Sequence, residues 1–411
     1  MDVTLRRDAD RIINASIRAV QPDEAVKRAL SDRAFPGRVF LVAAGKAAWQ
    51  MAKTASEVLG DRIEAGVVVT KYDHVKAPIA GIDCYEAGHP VPDENSFNAT
   101  QKALDLVTGL RGDDTVLFLL SGGGSALFEK PLIDGTELQD ITGQLLACGA
   151  DIVEINTIRK RLSAVKGGKF ARLCSPAQVF SIVLSDILGD PLDMIASGPA
   201  CADSSTCADA LAIALKYDLH LSDEAKLLLQ QETPKSLANV TTMITGSVRQ
   251  LATAAADACR ELGYEPVILT DMLCCQAKEA GSFLASILRS HASGGKRLAF
   301  IAGGETVVQL TGHGKGGRNQ ELALSAAIGI RNLMGAAIFS VGSDGTDGPT
   351  DAAGGYVDYE TFDALKDKGI DIFDTLRNND AYHALEACDG LMVTGPTGTN
   401  VNDVAVALFN L

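Results

Sequence analysis

The sequence predicts an α/β protein of two domains, each an open, mostly parallel sheet flanked by helices. Three observations carry this. At 411 residues the chain exceeds what one ordinary core encloses. Short apolar runs rich in leucine and β-branched residues alternate with stretches of helical period, the signature of βαβ units. That alternation stops at a polar segment, 221–239, and then begins again.

Residues 8–30 have helical period in two pieces divided at Gln21-Pro22-Asp23, where a proline suits a helix start. Strands are predicted at 38–44, 66–70, 83–86, 115–120 and 179–184. The run Val116-Leu117-Phe118-Leu119-Leu120 has no polar face, which a parallel strand covered on both sides requires. Helices are predicted at 47–59, 95–110, 136–147 and 208–217. Beyond the polar segment, strands at 242–245, 266–270, 297–301 and 337–341 alternate with helices at 248–262, 277–290 and 320–329. Residues 306–310 read as a hairpin, 391–394 as a short strand and 404–409 as an apolar tail. The domains are expected at 1–238 and 239–411.

Composition narrows the class of function. Hydrophobic residues at 46% and charged residues at 22% describe a soluble globular chain, and no run approaches the ~18 apolar residues of a membrane span. Residues 1–10 are polar and charged, which argues against a secretory signal and for the cytoplasm. A net charge of −15 argues against nucleic acid or an anionic membrane surface as a partner. The nine cysteines include no C-x-x-C pair, so neither structural zinc nor a disulfide framework is expected.

In open α/β sheets the ligand site lies beyond the carboxyl ends of the strands, and the unusual loops of this chain fall there. In Gly45-Lys46 a lysine opens a helix, a position that favours a bound anion beside it. In Ser121-Gly122-Gly123-Gly124-Ser125 three glycines let the backbone turn tightly and present N–H groups to phosphate oxygens. No Lys-Ser/Thr pair follows at Walker A spacing. Ser185-Asp186-Ile187-Leu188-Gly189-Asp190-Pro191, followed by Ser197-Gly198-Pro199, places two carboxylates at a strand end. Such a pair suits Mg²⁺, which completes its shell with water and phosphate. Asp186 is the preferred ligand, while Asp190 is equally explained as a turn residue.

Gly312-x-Gly314-x-x-Gly317 matches the dinucleotide fingerprint in letters but not in context. It follows the expected hairpin, and the next strand-end acid, Asp344, lies beyond the ~20-residue spacing of a Rossmann unit. Its glycines instead leave backbone N–H groups, Lys315 and Arg318 to converge on a small anion, with Arg318 offering a fork to a carboxylate or phosphate. Two further loops carry Asp344, Asp347 and Asp351, and Thr397, Thr399, Asn400 and Asn402. Each alone is explained as a turn with Asx hydrogen bonds. His89, in Ala87-Gly88-His89-Pro90, reads as structural. Lys71 follows a strand and suits a cleft-facing position. The basic run Asn156, Arg159, Lys160 and Lys166 reads as a solvated face that could border an anion site.

Together these motifs resemble a known family. Gly316-Gly317-Arg318-Asn319-Gln320-Glu321-Leu322, the Asp344–Asp351 loop and Thr394-Gly395-Pro396-Thr397-Gly398-Thr399-Asn400 are similar to the MOFRL domain of the glycerate 2-kinase family, over about 297–403. Gly45-Lys46, Ser121–Ser125, Lys166-Gly167-Gly168 and 185–199 resemble that family's N-terminal domain. The resemblance implies ATP-dependent phosphorylation of D-glycerate, expected on its 2-hydroxyl, in a cleft between the domains lined by Lys46, Glu305, Arg318, Asp344 and Asn400. On that reading Ser121, Gly122, Gly123, Gly124 and Ser125 cradle the nucleotide phosphates with Asn400. Asp186 and Asp190 hold the metal, Lys46 neutralises charge and Arg318 grips the substrate carboxylate. Asp344 or Glu305 orients or deprotonates the hydroxyl. The family's older label, NAD(P)H-dependent hydroxypyruvate reductase, is the rival.

Overall fold

The computed structural model describes residues 1–292 and 295–410. The chain divides into two compact units, residues 25–245 and residues 1–24 with 246–411.

In the unit formed by residues 25–245 a six-stranded sheet has the order β3-β2-β1-β4-β5-β6. Its strands are β1 (Val39–Ala44), β2 (Ile63–Lys71), β3 (Ile82–Ala87), β4 (Thr115–Leu120), β5 (Gln178–Leu184) and β6 (Val240–Gly246). The ladders joining β3, β2, β1, β4 and β5 are all parallel. Every residue of β1 and β4 is buried, because helices cover both faces. The period-2 alternation divides the core: Leu41, Leu117 and Phe180 pack with Trp49 and Met51 of helix Ala48–Leu59 on one face. Val42, Phe118 and Val179 pack with Leu104 and Phe170 on the other.

In the second unit the order is β11-β10-β9-β12-β8-β7. The strands are β7 (Glu265–Leu273), β8 (Leu298–Gly304), β9 (Ala336–Gly342), β10 (Gly354–Asp358), β11 (Leu391–Met392) and β12 (Asp403–Phe409). β7 and β8 pair in parallel, while β12 and β10 run antiparallel to each of their neighbours. Strands β7, β8, β9 and β11 therefore point one way and β10 and β12 the other. The expected apolar tail is the strand that fills the gap between β8 and β9.

Three expectations need correction. Residues 1–24 belong with the C-terminal unit, not with 25–238. Asp2 caps helix Val3–Ala19, whose stripe of Leu5, Ala9, Ile12, Ile13 and Ile17 is buried with Leu251 and Ala255 of helix Val248–Glu261. Each of the larger apolar side chains contributes roughly 1.5–3 kcal/mol by that burial. Asp8 accepts from Tyr264 (2.9 Å) and pairs with Arg297 (3.1 Å), which fixes the helix further. The strand at 242–245, expected to open the second domain, is the edge strand β6 of the first sheet. No hairpin forms at 306–310: Val307 makes an isolated parallel bridge to Gln276. No described helix is long and apolar enough to cross a membrane.

Candidate functional site

Because β1, β2, β4 and β5 are parallel, Lys46, Lys71, Ser121 and Asp186 leave their strands at the same edge of the sheet. Gly45 has φ 122°, and a Cβ there would stand 2.3 Å from Ser121 Oγ, so only glycine lets these two loops touch. The contact is stitched by Ser121 N–H to the Ala44 carbonyl (3.0 Å), Lys46 N–H to the Gly122 carbonyl (2.8 Å) and Ala47 N–H to Ser121 Oγ (3.0 Å). Lys46 is exposed beside the glycine loop.

Each glycine of that loop has its own neighbour. A Cβ on Gly122 would lie 2.3 Å from a carboxylate oxygen of Asp186. On Gly123 it would lie 3.1 Å from His89 Nε2 and 3.2 Å from Lys46 Cγ, and on Gly124 2.8 Å from Ala196 Cβ. An acid, an imidazole and an ammonium stem thus converge on two consecutive peptides. Among the described residues no backbone carbonyl accepts from the N–H of Gly122 or Gly123. Ala196 (φ 50°) and Ser197 (φ 60°) sit in left-handed conformations that cost side-chain-bearing residues on the order of 1–3 kcal/mol each. Ser197 Oγ donates to Asn156 Oδ1 (2.8 Å), helping to hold that strained turn against the loop.

His89 was read from sequence as structural, yet its ring edge stands over Gly123. The signal that could have found it is its place two residues past the end of β3. Burial, then the charges of Lys46, Lys71 and His74, lowers its pKa, so the ring is neutral at pH 7. Asp190 has φ 52°, and its buried Oδ1 lacks a hydrogen-bond partner among the described residues. An orphaned carboxylate oxygen four positions beyond Asp186 is a donor set of the hard-oxygen kind that Mg²⁺ takes. Among the described residues no three His, Cys, Asp or Glu side chains form a metal cage. A one- or two-carboxylate site does not need one.

In the second unit the antiparallel β12 brings the start of one strand to the ends of two others: Asp403 is paired with both Gly304 and Gly342. Glu305 and Asp344 follow those glycines closely. Arg318, at the start of helix Arg318–Ile330, donates Nε and Nη2 to the two oxygens of Asp403 (2.6 and 3.0 Å) and Nη1 to Glu305 (2.6 Å). Against the burial that opposes its charge, Asp403 and Glu305 hold the guanidinium pKa above its ordinary value. Burial raises the pKa of Asp403, and Arg318 opposes that shift. Gly342 brings two acids close: a Cβ there would lie 3.2 Å from Asp344 Oδ1 and 3.4 Å from Asp403 Oδ1. Sequence reading singled out Arg318, Glu305 and Asp344 but passed over Asp403, which looked like the lead-in to an apolar tail.

The loops around this cluster hold one another. Thr397 N–H donates to the Asp344 carbonyl (3.2 Å), Val401 N–H to Ser343 Oγ (2.8 Å), and Asn400 Oδ1 accepts from Asn402 N–H (3.2 Å). Asp347 is an anchor: it accepts from the backbone N–H groups of Asn319 (3.1 Å) and Gln320 (2.9 Å), and from both their side-chain amides. Burial pushes its carboxyl up to about 6 even so.

Within the glycine stretch 312–317, the N–H groups of 312–315 are not presented to an anion as expected. Gly312 N–H goes to Asn379 Oδ1 (2.9 Å), His313 N–H to Asn378 Oδ1 (3.2 Å), Gly314 N–H to the Asn378 carbonyl (2.8 Å) and Lys315 N–H to Asp380 Oδ1 (2.8 Å). Its glycines are required by the fold: a Cβ on Gly312 would stand 2.3 Å from the Asn378 carbonyl oxygen, and one on Gly317 2.2 Å from the Asp347 carboxyl carbon.

Residues 8–230 match the family model described as a domain of unknown function, DUF4147, and residues 298–403 match the MOFRL family. The chain is 53% identical to the D-glycerate 2-kinase of Thermotoga maritima over 99% of both chains. It is 40% identical to a putative hydroxypyruvate reductase of Agrobacterium vitis over 99% of this chain and 95% of that one. A crystal structure of glycerate kinase from Thermotoga maritima superposes with a TM-score of 0.95 at 51% identity, covering 99% of this chain and 100% of the other. With both family models matched in order and such likeness end to end, the chain belongs to the glycerate 2-kinase family with a MOFRL domain.

Proposed function

We propose that this chain transfers the γ-phosphoryl group of ATP to the 2-hydroxyl of D-glycerate, giving 2-phosphoglycerate. The observation that carries the reading is the glycine loop 121–125, with Lys46, His89 and Asp186 crowded onto Gly122 and Gly123. Phosphoryl transfer asks a protein for positioning and charge neutralisation more than for covalent chemistry. The loop supplies backbone donors for phosphate oxygens, with Ser121 and Ser125 at its ends, and Lys46 offsets charge on the group in transit. Asp186 and Asp190 would hold Mg²⁺, which supplies further neutralisation of the phosphates when bound.

Arg318 is assigned to the glycerate carboxylate. Three of its five N–H donors are spent on Asp403 and Glu305, which aims the rest. Asp344 or Glu305 takes the proton from the acceptor hydroxyl, and Asn400 contributes a neutral contact to the nucleotide. The partner is a small molecule, and the nine free thiols suit a reducing cytoplasm.

The reductase reading requires a dinucleotide loop. The one stretch with that spelling, 312–317, has the N–H groups of 312–315 spent on residues 378–380 and the space at Gly312, Gly314 and Gly317 taken by Asn378, Asp380 and Asp347, which favours the kinase. Release of ADP from ATP that depends on D-glycerate tests the proposal. Oxidation of NAD(P)H by hydroxypyruvate, with ATP left intact in the presence of glycerate, would replace it.

A further inference from the structure

Beneath the glycine loop lies a buried group of charges that phosphoryl transfer, as assigned above, leaves unused. Lys166 is fully buried. Its Nζ donates to the carbonyls of Ser125 (2.9 Å) and Phe128 (3.2 Å) and lies 3.4 Å from the Glu129 carboxylate. Arg159 donates Nη2 to the same Ser125 carbonyl (2.9 Å) and to Glu129 Oε2 (3.3 Å). Glu129 is also fully buried, and its second oxygen, like Arg159 Nε, has no hydrogen-bond partner among the described residues.

Stability does not account for this arrangement. Apolar side chains of similar volume commonly replace buried ion pairs at no loss, and the orphaned atoms here show that the pairing is incomplete. Two cations against one carboxylate leave a net positive charge in a medium where charge is poorly screened. Its point of attachment is the carbonyl of Ser125, the last residue of the loop assigned to the ATP phosphates.

We propose that Lys166 and Arg159 are positioning residues for ATP. Resting on the functional reading above, they fix the peptide planes of 121–125 through the Ser125 carbonyl and set a buried positive charge under the phosphates. The groups facing Lys166 are Glu129, which favours its charge, and Arg159, which opposes it. Burial outweighs both, pushing the ammonium down to about 8. Lys166 is therefore charged below pH 8 and neutral above it. Lys169, also pushed down to about 8 by burial, bonds elsewhere, to the carbonyls of Arg161 and Ser163, and serves as an internal control.

The test compares wild type, Lys166→Met and Lys166→Arg by steady-state kinetics from pH 6.5 to 9.5, with circular dichroism to establish folding. Lys166→Met is expected to raise KM for ATP about tenfold or more, with KM for glycerate little changed. In wild type KM for ATP is expected to climb as pH rises through about 8. Lys166→Arg, which stays charged, restores ATP affinity at neutral pH and loses that climb, while any contribution of Lys169 persists in both proteins. A folded Lys166→Met with unchanged KM for ATP overturns the inference, as does an undiminished alkaline climb in Lys166→Arg. If the Met variant does not fold, the Arg profile decides alone. Wild type that does not phosphorylate glycerate defeats the functional reading instead.

Discussion

Two glycine-rich stretches, 121–125 and 312–317, look alike in the sequence and meet different neighbours in the fold. In the first, Gly122 and Gly123 are crowded by charged and polar side chains: the Asp186 carboxylate, the His89 ring and the Lys46 stem. In the second it is the protein's own architecture, namely the backbone of Asn378 and Asp380 and the capping carboxylate of Asp347. The N–H groups follow the same division. Those of Gly122 and Gly123 meet no backbone carbonyl among the described residues, whereas those of 312–315 are spent on 378–380. A run of glycines reports a close approach without saying what approaches, and only the neighbour separates a ligand loop from a packing loop.

That contrast can be broken by substitution. The largest effect is expected at Lys46: Lys46→Ala should lower kcat by about a hundredfold or more, if its charge acts on the transition state, with the melting temperature nearly unchanged. Turnover near wild type would remove it from the chemistry. Gly123→Ala should come next. At φ 85° an alanine is strained by about 1–2 kcal/mol, and the His89 ring and Lys46 Cγ, at 3.0–3.2 Å, must shift by a few tenths of an ångström to admit the methyl. Loss of about tenfold or more in kcat/KM from a folded protein is expected.

Gly312→Ala should do the reverse. Its methyl meets a rigid carbonyl, so denaturant unfolding should show a loss of about 1–3 kcal/mol, with kcat retained by the protein that remains folded. A kinetic defect there without a stability defect would erase the distinction between the two stretches. The smallest effect belongs to Asp347. Its carboxyl titrates near 6 in the folded chain against 3.8 in the unfolded one. Between those values the folded state keeps a proton the unfolded state has lost, so its contribution to stability falls as pH rises from about 4 to 6. Asp347→Asn should flatten that part of the stability profile, measured by urea unfolding at pH 4.5 and 6.5.

The same logic explains what could be read in advance. Strands β1, β2, β4 and β5 announced themselves because a strand buried on both faces has no polar positions. The loops at their ends followed from the parallel order, and with them Lys46, Ser121–Ser125 and Asp186. The helix at Val3–Ala19 was visible as a helix, but an amphipathic stripe carries no address, and it packs with residues 246–411. Strand β10 was hidden by its opening Gly354-Gly355, where a Cβ on Gly354 would stand 1.9 Å from the Ser340 carbonyl oxygen. Asp403 escaped notice because its partners are fixed by the antiparallel insertion of β12, a pairing over some hundred residues of separation that no local pattern encodes. Arg159 and Lys166 read as a solvated basic face, since burial of a charge is invisible until Glu129 and the Ser125 carbonyl are placed beside it.

The central claim is that this chain phosphorylates D-glycerate on its 2-hydroxyl, using the 121–125 loop. Phosphorus NMR of the product formed from ATP and D-glycerate tests it most directly. The expected spectrum shows 2-phosphoglycerate with wild type and none above background with Lys46→Ala. A resonance of 3-phosphoglycerate, or a product signal of equal size from Lys46→Ala, would contradict the account.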